Sequence, residues 1–145
     1  QTCSNVWEFV KQNIAYKIDP AGVQWVKEPA RVWADKVCDC KSYSVFIASL
    51  LKHLGIEGKF RFVSFDKHDE VPTHVYIVVP NGNEELIMDC VLNKFNVEAP
   101  YQHKIDYNMS QLYRLSGTPD VLPPEPKNNI VLYAILAVMA YAILK

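Results

Sequence analysis

The hydrophobic period of this chain changes at Gly55 to Gly58, from helical before it to two after it, and that change commits the chain to a helix followed directly by strands. Tyr43, Ile47, Leu50, Leu51 and Leu54 recur at helical spacing, Phe46 widens the stripe, and Gly55 stands where a helix ends in a left-handed cap. The spacing predicts a helix over 41–54. Lys59 to Phe65 then alternates as a strand, and His74 to Val79 is rich in β-branched residues. Pro80-Asn81-Gly82-Asn83 reads as a hairpin turn, with Glu84 to Val91 as the returning strand. The fold class is therefore α+β, a helix followed by an antiparallel meander.

The flanking segments are less regular. Val6, Phe9, Val10 and Ile14, with Trp7 beside them, predict a first helix with Ser4 or Asn5 as N-cap. Residues 23–38 show no clean period, and Pro29 marks a loop or the start of a short helix. Residues 92–118 are aromatic but aperiodic, with a short helical piece around Met109 to Leu115. The chain opens Gln1-Thr2-Cys3 without a Met, which reads as a processed or trimmed start, and its first twenty residues contain no signal-peptide core.

With 145 residues, half of them apolar, the chain can bury one core but not comfortably two. A net charge of −1 removes the broad basic surface that nucleic-acid binding needs, so no nucleic-acid partner is expected. Position matters more than the average. Pro119, Pro123, Pro124 and Pro126 make 119–129 a semi-rigid linker, and Ile130 to Leu144 is a run of fifteen residues without a charge. Tyr133 and Tyr141 sit near its two ends, as interfacial aromatics do. As a helix it would span about 22 Å, short of a hydrocarbon core of about 30 Å, but Asn128, Asn129 and a snorkelling Lys145 extend it. The alternative is a helix docked on the domain or on a partner, which should carry a polar stripe that this one lacks. The expected organisation is one folded domain over 1–118, the linker, and a hydrophobic C-terminal helix over 130–145 that anchors the chain to a membrane, the side left open.

Four cysteines, Cys3, Cys38, Cys40 and Cys90, raise the question of metal and redox chemistry. Cys38 and Cys40 are spaced C-x-C with no second metal-binding pair, so no metal and no cofactor is expected. Cys40 stands at the start of the 41–54 helix, where unsatisfied amides and the positive end of the dipole favour a thiolate. If residues 80–83 form a four-residue loop, position 79 faces 84 and His74 faces Asp89 on one face of the sheet. A carboxylate there fixes the imidazole tautomer, the orienting role in a nucleophile–base–acid triad. By alternation Cys90 points away from Asp89 and belongs to the core. His53, His68 and His103 read as solvated, and 66–70 as a solvated loop or a lip on the substrate side.

Asp39-Cys40-Lys41-Ser42-Tyr43-Ser44, continuing through Ile47 to Ile56, resembles the Gly-Asp-Cys…Leu-Leu-Arg-x-Leu-Gly-Ile signature of the transglutaminase-like superfamily, with Gly55 fifteen residues after the cysteine. Thr73-His74-Val75-Tyr76 resembles that superfamily's His strand, and Ile87-Met88-Asp89 its Asp strand. Val23-Gln24-Trp25…Pro29 resembles a segment upstream of the cysteine in short bacterial and phage members. The likeness covers about residues 6–92. Cys38 stands where the signature has Gly, Val75-Tyr76 where it has Trp after the His, and Cys90 where it has Pro.

The resemblance implies a papain-like core in which Cys40, His74 and Asp89 are catalytic, with Gln24 or Trp33 helping an oxyanion site. It implies cysteine-dependent acyl transfer or amide hydrolysis through a thioester, on a protein or peptide substrate, peptidoglycan included. Water would give a peptidase or amidase, and an amine a crosslink. The alternative is a non-catalytic module on the same fold, such as a membrane-associated component of a phage virion.

Overall fold

The computed structural model describes residues 1–20 and 22–112, with side chains described to residue 110; the proline linker and the apolar run 130–144 lie outside the described residues. Two helices pack on one face of a four-stranded sheet, and a third packs against one of them. Helix α1 spans Thr2–Asn13, one turn earlier than the Val6 stripe predicts, because Cys3 joins Val6, Trp7 and Val10 as a buried position at helical spacing. Ser4 and Asn5 thus lie inside the helix, and the Ser4 hydroxyl donates back to the Gln1 carbonyl at 2.7 Å.

A two-residue strand β1 (Ala15–Tyr16) pairs in parallel with β2 (Val37–Cys38), and the crossover between them carries α2 (Pro29–Asp35). The irregular 23–38 stretch therefore holds a helix and a strand. Pro29 sits in the first turn, where its missing N–H costs nothing, and Lys36 ends the helix in the left-handed region. Helix α3 (Cys40–His53) ends in a paired cap: Ile56 N–H donates to Leu51 O at 2.9 Å and Gly55 N–H to Lys52 O at 3.0 Å, with Gly55 at φ 71°.

The sheet runs in the order β5 (Glu84–Met88), β4 (His74–Asn81), β3 (Lys59–Ser64), β6 (His103–Asn108), all antiparallel, and α4 (Met109–Leu112) follows. β6 lies within the stretch whose sequence shows no period, because it is an edge strand whose positions are mostly half-buried or exposed. Val75, Ile77 and Val79 of β4 face the helices with Phe60, Ile47 and Leu51. Tyr76 and Val78 face the other way, where Val63, Ile87 and Tyr101 meet them.

That second face is organised around a buried cation. Arg61 is only 2% exposed and donates to Asp106 at 2.9 and 2.8 Å, to Glu98 at 2.8 Å and to Glu85 at 2.7 Å. Its carboxylate partners come from β6, β5 and the 89–102 connection, so one guanidinium joins three segments. Arg61→Leu would leave those carboxylates facing one another without the cation. Because each still reaches solvent, the expected loss is about 3 kcal/mol, the low end for breaking a buried pair, read as the shift of a urea transition.

Candidate active site

Asp39 and three consecutive side chains, Ser42, Tyr43 and Ser44, fix the start of α3. Asp39 caps the helix, its Oδ1 accepting from Ser42 N–H at 3.0 Å, and its carboxylate also meets Lys41. Ser42 Oγ accepts from Lys27 N–H at 3.1 Å and donates to Trp25 O at 3.4 Å, which ties the 25–27 segment to the helix start. The Tyr43 hydroxyl donates to Ile14 O, and Ser44 Oγ lies 2.9 Å from Cys40 O and 3.1 Å from Val75 O. At about 100° per residue these side chains point to three neighbours in turn, so the backbone carrying Cys40 is fixed from three sides.

Cys40, the first residue of α3, is half-buried and lies close enough to His74 for its charge to act on the imidazole. The His74 ring is bonded to Asp89, Nε2 to Oδ2 at 2.7 Å. With Nε2–H given to the carboxylate, Nδ1 is the nitrogen left for the thiol. Asp89 is buried and doubly held: its Oδ1 accepts from Val91 N–H at 2.9 Å, and its carbonyl accepts from Trp7 Nε1 at 3.0 Å. Lys11 Nζ donates to Cys90 O at 2.9 Å, so two side chains of α1 grip the strand end that bears Asp89. Phe65 stacks on the His74 ring at 6.2 Å, and Tyr76 lies against it at 5.6 Å. The Tyr76 hydroxyl donates to Glu98 at 2.7 Å, which connects the His74 environment to the Arg61 cluster.

The register differs from the four-residue loop. Asn81 pairs with Glu84 across a two-residue turn in which Gly82 takes φ 64°, so Val79 faces Leu86 and strand pairing ends at Ile77 and Met88. The slip is two positions, and an even slip keeps every side chain on its own face. His74 and Asp89 are therefore diagonal neighbours rather than opposed, and still meet.

Burial opposes charge on His74, but hydrogen bonds to Asp89 and Cys40, with the charges of both, outweigh it and push the imidazolium up to about 9. The other thiols are different. Burial pushes Cys38 and Cys90 up to about 12, and it raises Cys3 as well. All four cysteines are free. Cys90 is in the core beside Trp7 O, as alternation requires.

Of the upstream residues, Gln24 is half-buried and adjoins Trp25, whose carbonyl meets the α3 start. Trp33 stacks between Phe9 at 5.6 Å and Phe46 at 6.3 Å, under Lys36 Nζ, on the α1 side of α3. Tyr16 carries no sequence signal. Its phenol is raised by burial and then by the charges of Cys40 and Asp89, and its ring stacks at 6.1 Å on Tyr43, one turn along α3 from Cys40. His53 and His68 are exposed, and His103 approaches Lys67 O at 3.4 Å. Among the described residues no group of three or more His, Cys, Asp or Glu side chains is placed to hold a metal.

No family model matches the chain, and no curated protein matches it. Solved structures do. LapG of Legionella pneumophila superposes in its EGTA-treated form with a TM-score of 0.58 at 16% identity, covering 97% of this chain and 77% of that one. A second LapG structure gives 0.52 at 18% identity, covering 97% and 76%. The calcium-bound form matches at 0.46 and 20% identity over 64% of this chain, which spans about half of that one, 54%. The chain thus has a mixed helix and antiparallel-sheet fold that resembles that of LapG.

The raised imidazolium has a stability consequence. A histidine whose folded pKa lies above the unfolded value of about 6.5 adds stability that is complete below that value and is lost as pH rises through about 9. Asp89→Asn keeps an acceptor for Val91 N–H but removes the charge. Its cost, up to about 3 kcal/mol at pH 6, should shrink toward zero at pH 10, as read by urea unfolding at both values.

Proposed function

We propose that this protein is a cysteine peptidase or amidase acting on a protein or peptide substrate, with Cys40 as nucleophile, His74 as general base and acid, and Asp89 as the group that orients His74. The observation that carries the reading is the 2.7 Å bond from the His74 imidazole to the buried Asp89 carboxylate, itself held by Val91 N–H, beside a half-buried thiol at the start of α3.

The His74 ring takes the thiol proton, and the sulfur attacks the amide carbonyl carbon. The oxygen that becomes negative is met by the unpaired backbone N–H at the first position of α3, with Gln24 as a second donor from the segment tied to Ser42. As the C–N bond breaks, His74 returns its proton to the departing amine and a thioester to Cys40 remains. Water then attacks the thioester, His74 takes its proton, the C–S bond breaks, and the carboxylic acid leaves with the thiol restored. Asp89 holds Nε2–H throughout.

The remaining thiols are buried, so alkylation separates them from the nucleophile. Iodoacetamide at pH 6.5 should label Cys40 ahead of Cys3, Cys38 and Cys90, and His74→Ala should slow that labelling by at least about tenfold. Acid quenching of the protein mixed with a peptide digest should reveal, by intact mass, an acyl group on Cys40 that Cys40→Ala lacks. Labelling that ignores His74, with no acyl adduct, would leave only a non-catalytic module. For the apolar run 130–144, membrane anchoring is the matching proposal. Flotation of the full chain with lipid vesicles, lost when that run is replaced by polar sequence, checks it.

A further inference from the structure

The segment that leads from β1 to α2 is an unusual surface for a small domain. Ile18 is 72% exposed and Trp25 61%, with Val26 and Tyr16 also open to solvent. Scattered apolar residues need no explanation, but these four belong to one segment, and that segment is fastened to the start of α3. Lys17 N–H donates to Cys38 O at 2.9 Å, Trp25 N–H donates to Asp19 Oδ2 at 3.0 Å, and Ser42 holds both Trp25 O and Lys27 N–H. Asp19 in turn pairs with Lys41 at 3.4 Å, one residue from the thiol.

Two charges of this wall are paired: Asp19 with Lys41, which also meets Asp39, and Lys27 with Asp35 at 2.8 Å. Lys17 and Glu28 stand at exposed positions near its two ends, and between them the wall offers a ligand beside Cys40 mainly apolar area. The other flank of the site differs. There Phe65 covers His74, and the following loop carries Asp66, Asp69 and Glu70 against Lys67. The amine half of a substrate must lie on that flank, because His74 protonates it. The acyl half is left with the α3 side, where the wall stands.

We infer that Ile18 and Trp25, supported by Tyr16 and Val26, form the acyl-side subsite and select a peptide with a large apolar side chain just before its reacting residue. The inference rests on the proposed role of Cys40. Seating a phenylalanine on half-open apolar surface yields a preference of about tenfold.

The test compares two irreversible probes, acetyl-Phe-Gly and acetyl-Glu-Gly chloromethyl ketones, which form a sulfur–carbon bond to the thiol and release chloride. Each rate is divided by the iodoacetamide rate of the same protein sample. The full-length chain should favour the Phe probe by about tenfold or more. The paired substitution Ile18→Ser with Trp25→Ser should bring the ratio close to one, and Trp25→Phe should restore most of it. Equal normalised rates in the wild-type chain overturn the inference, as does a preference that survives the paired substitution. Iodoacetamide labelling that is indifferent to His74→Ala instead overturns the catalytic reading itself. Circular dichroism of the paired variant separates loss of preference from loss of fold.

Discussion

The capped first turn of α3 is the constraint on which the rest of the molecule depends. Asp39 supplies the cap, and Ser42, Tyr43 and Ser44 then reach the 25–27 segment, the end of α1 and the β4 backbone. Each contact joins the turn that carries Cys40 to a part of the chain remote in sequence. Hydroxyl residues are indifferent helix formers because their side chains compete for backbone groups. Here that same capacity serves tertiary contacts, and no buried side-chain polar atom among the described residues lacks a partner.

The site is then completed from both faces of the sheet. By alternation His74 shares the face of Tyr76 and Val78, turned away from the helices, yet it stands at the first residue of β4, where its ring meets Cys40 at the sheet end. The helical face contributes Trp7 and Lys11, which hold the carbonyls of Asp89 and Cys90. The opposite face contributes Tyr76, Glu98 and Arg61, which pin the connection that follows Asp89. A strand end held on one face alone could pivot. Held on both, it fixes the direction of a carboxylate whose use depends on direction.

Much of this was readable from residue pattern, and the failures have physical causes. The α3 stripe and its Gly55 end are visible because the helix is amphipathic and its cap needs a left-handed residue. The hairpin is visible but its register is not, since Pro80 to Asn83 can be read as a loop of four or as strand ends around a turn of two. Facing survives that error because side-chain direction has period two. β6 is hidden by its exposure, and α2 by a stretch of seven residues with one fully buried position, Val32. Arg61 is hidden for another reason: in an alternating strand a charged residue reads as solvent-facing, and the carboxylates that bury it lie 24 to 45 residues further along the chain.

Environment, rather than motif, separates Cys40 from its neighbours. Cys38 and Cys40 are two residues apart and both border the same turn. Cys38 lies in β2, buried in the core, where desolvation opposes ionisation of its sulfur. Cys40 is half-open, stands at a helix N-terminus, and has the His74 imidazole nearby. Of these two positions only the second combines partial access to water with a neighbouring imidazole. The step from strand to helix at Asp39 thus turns one sulfur into the core and leaves the next at the half-buried start of α3.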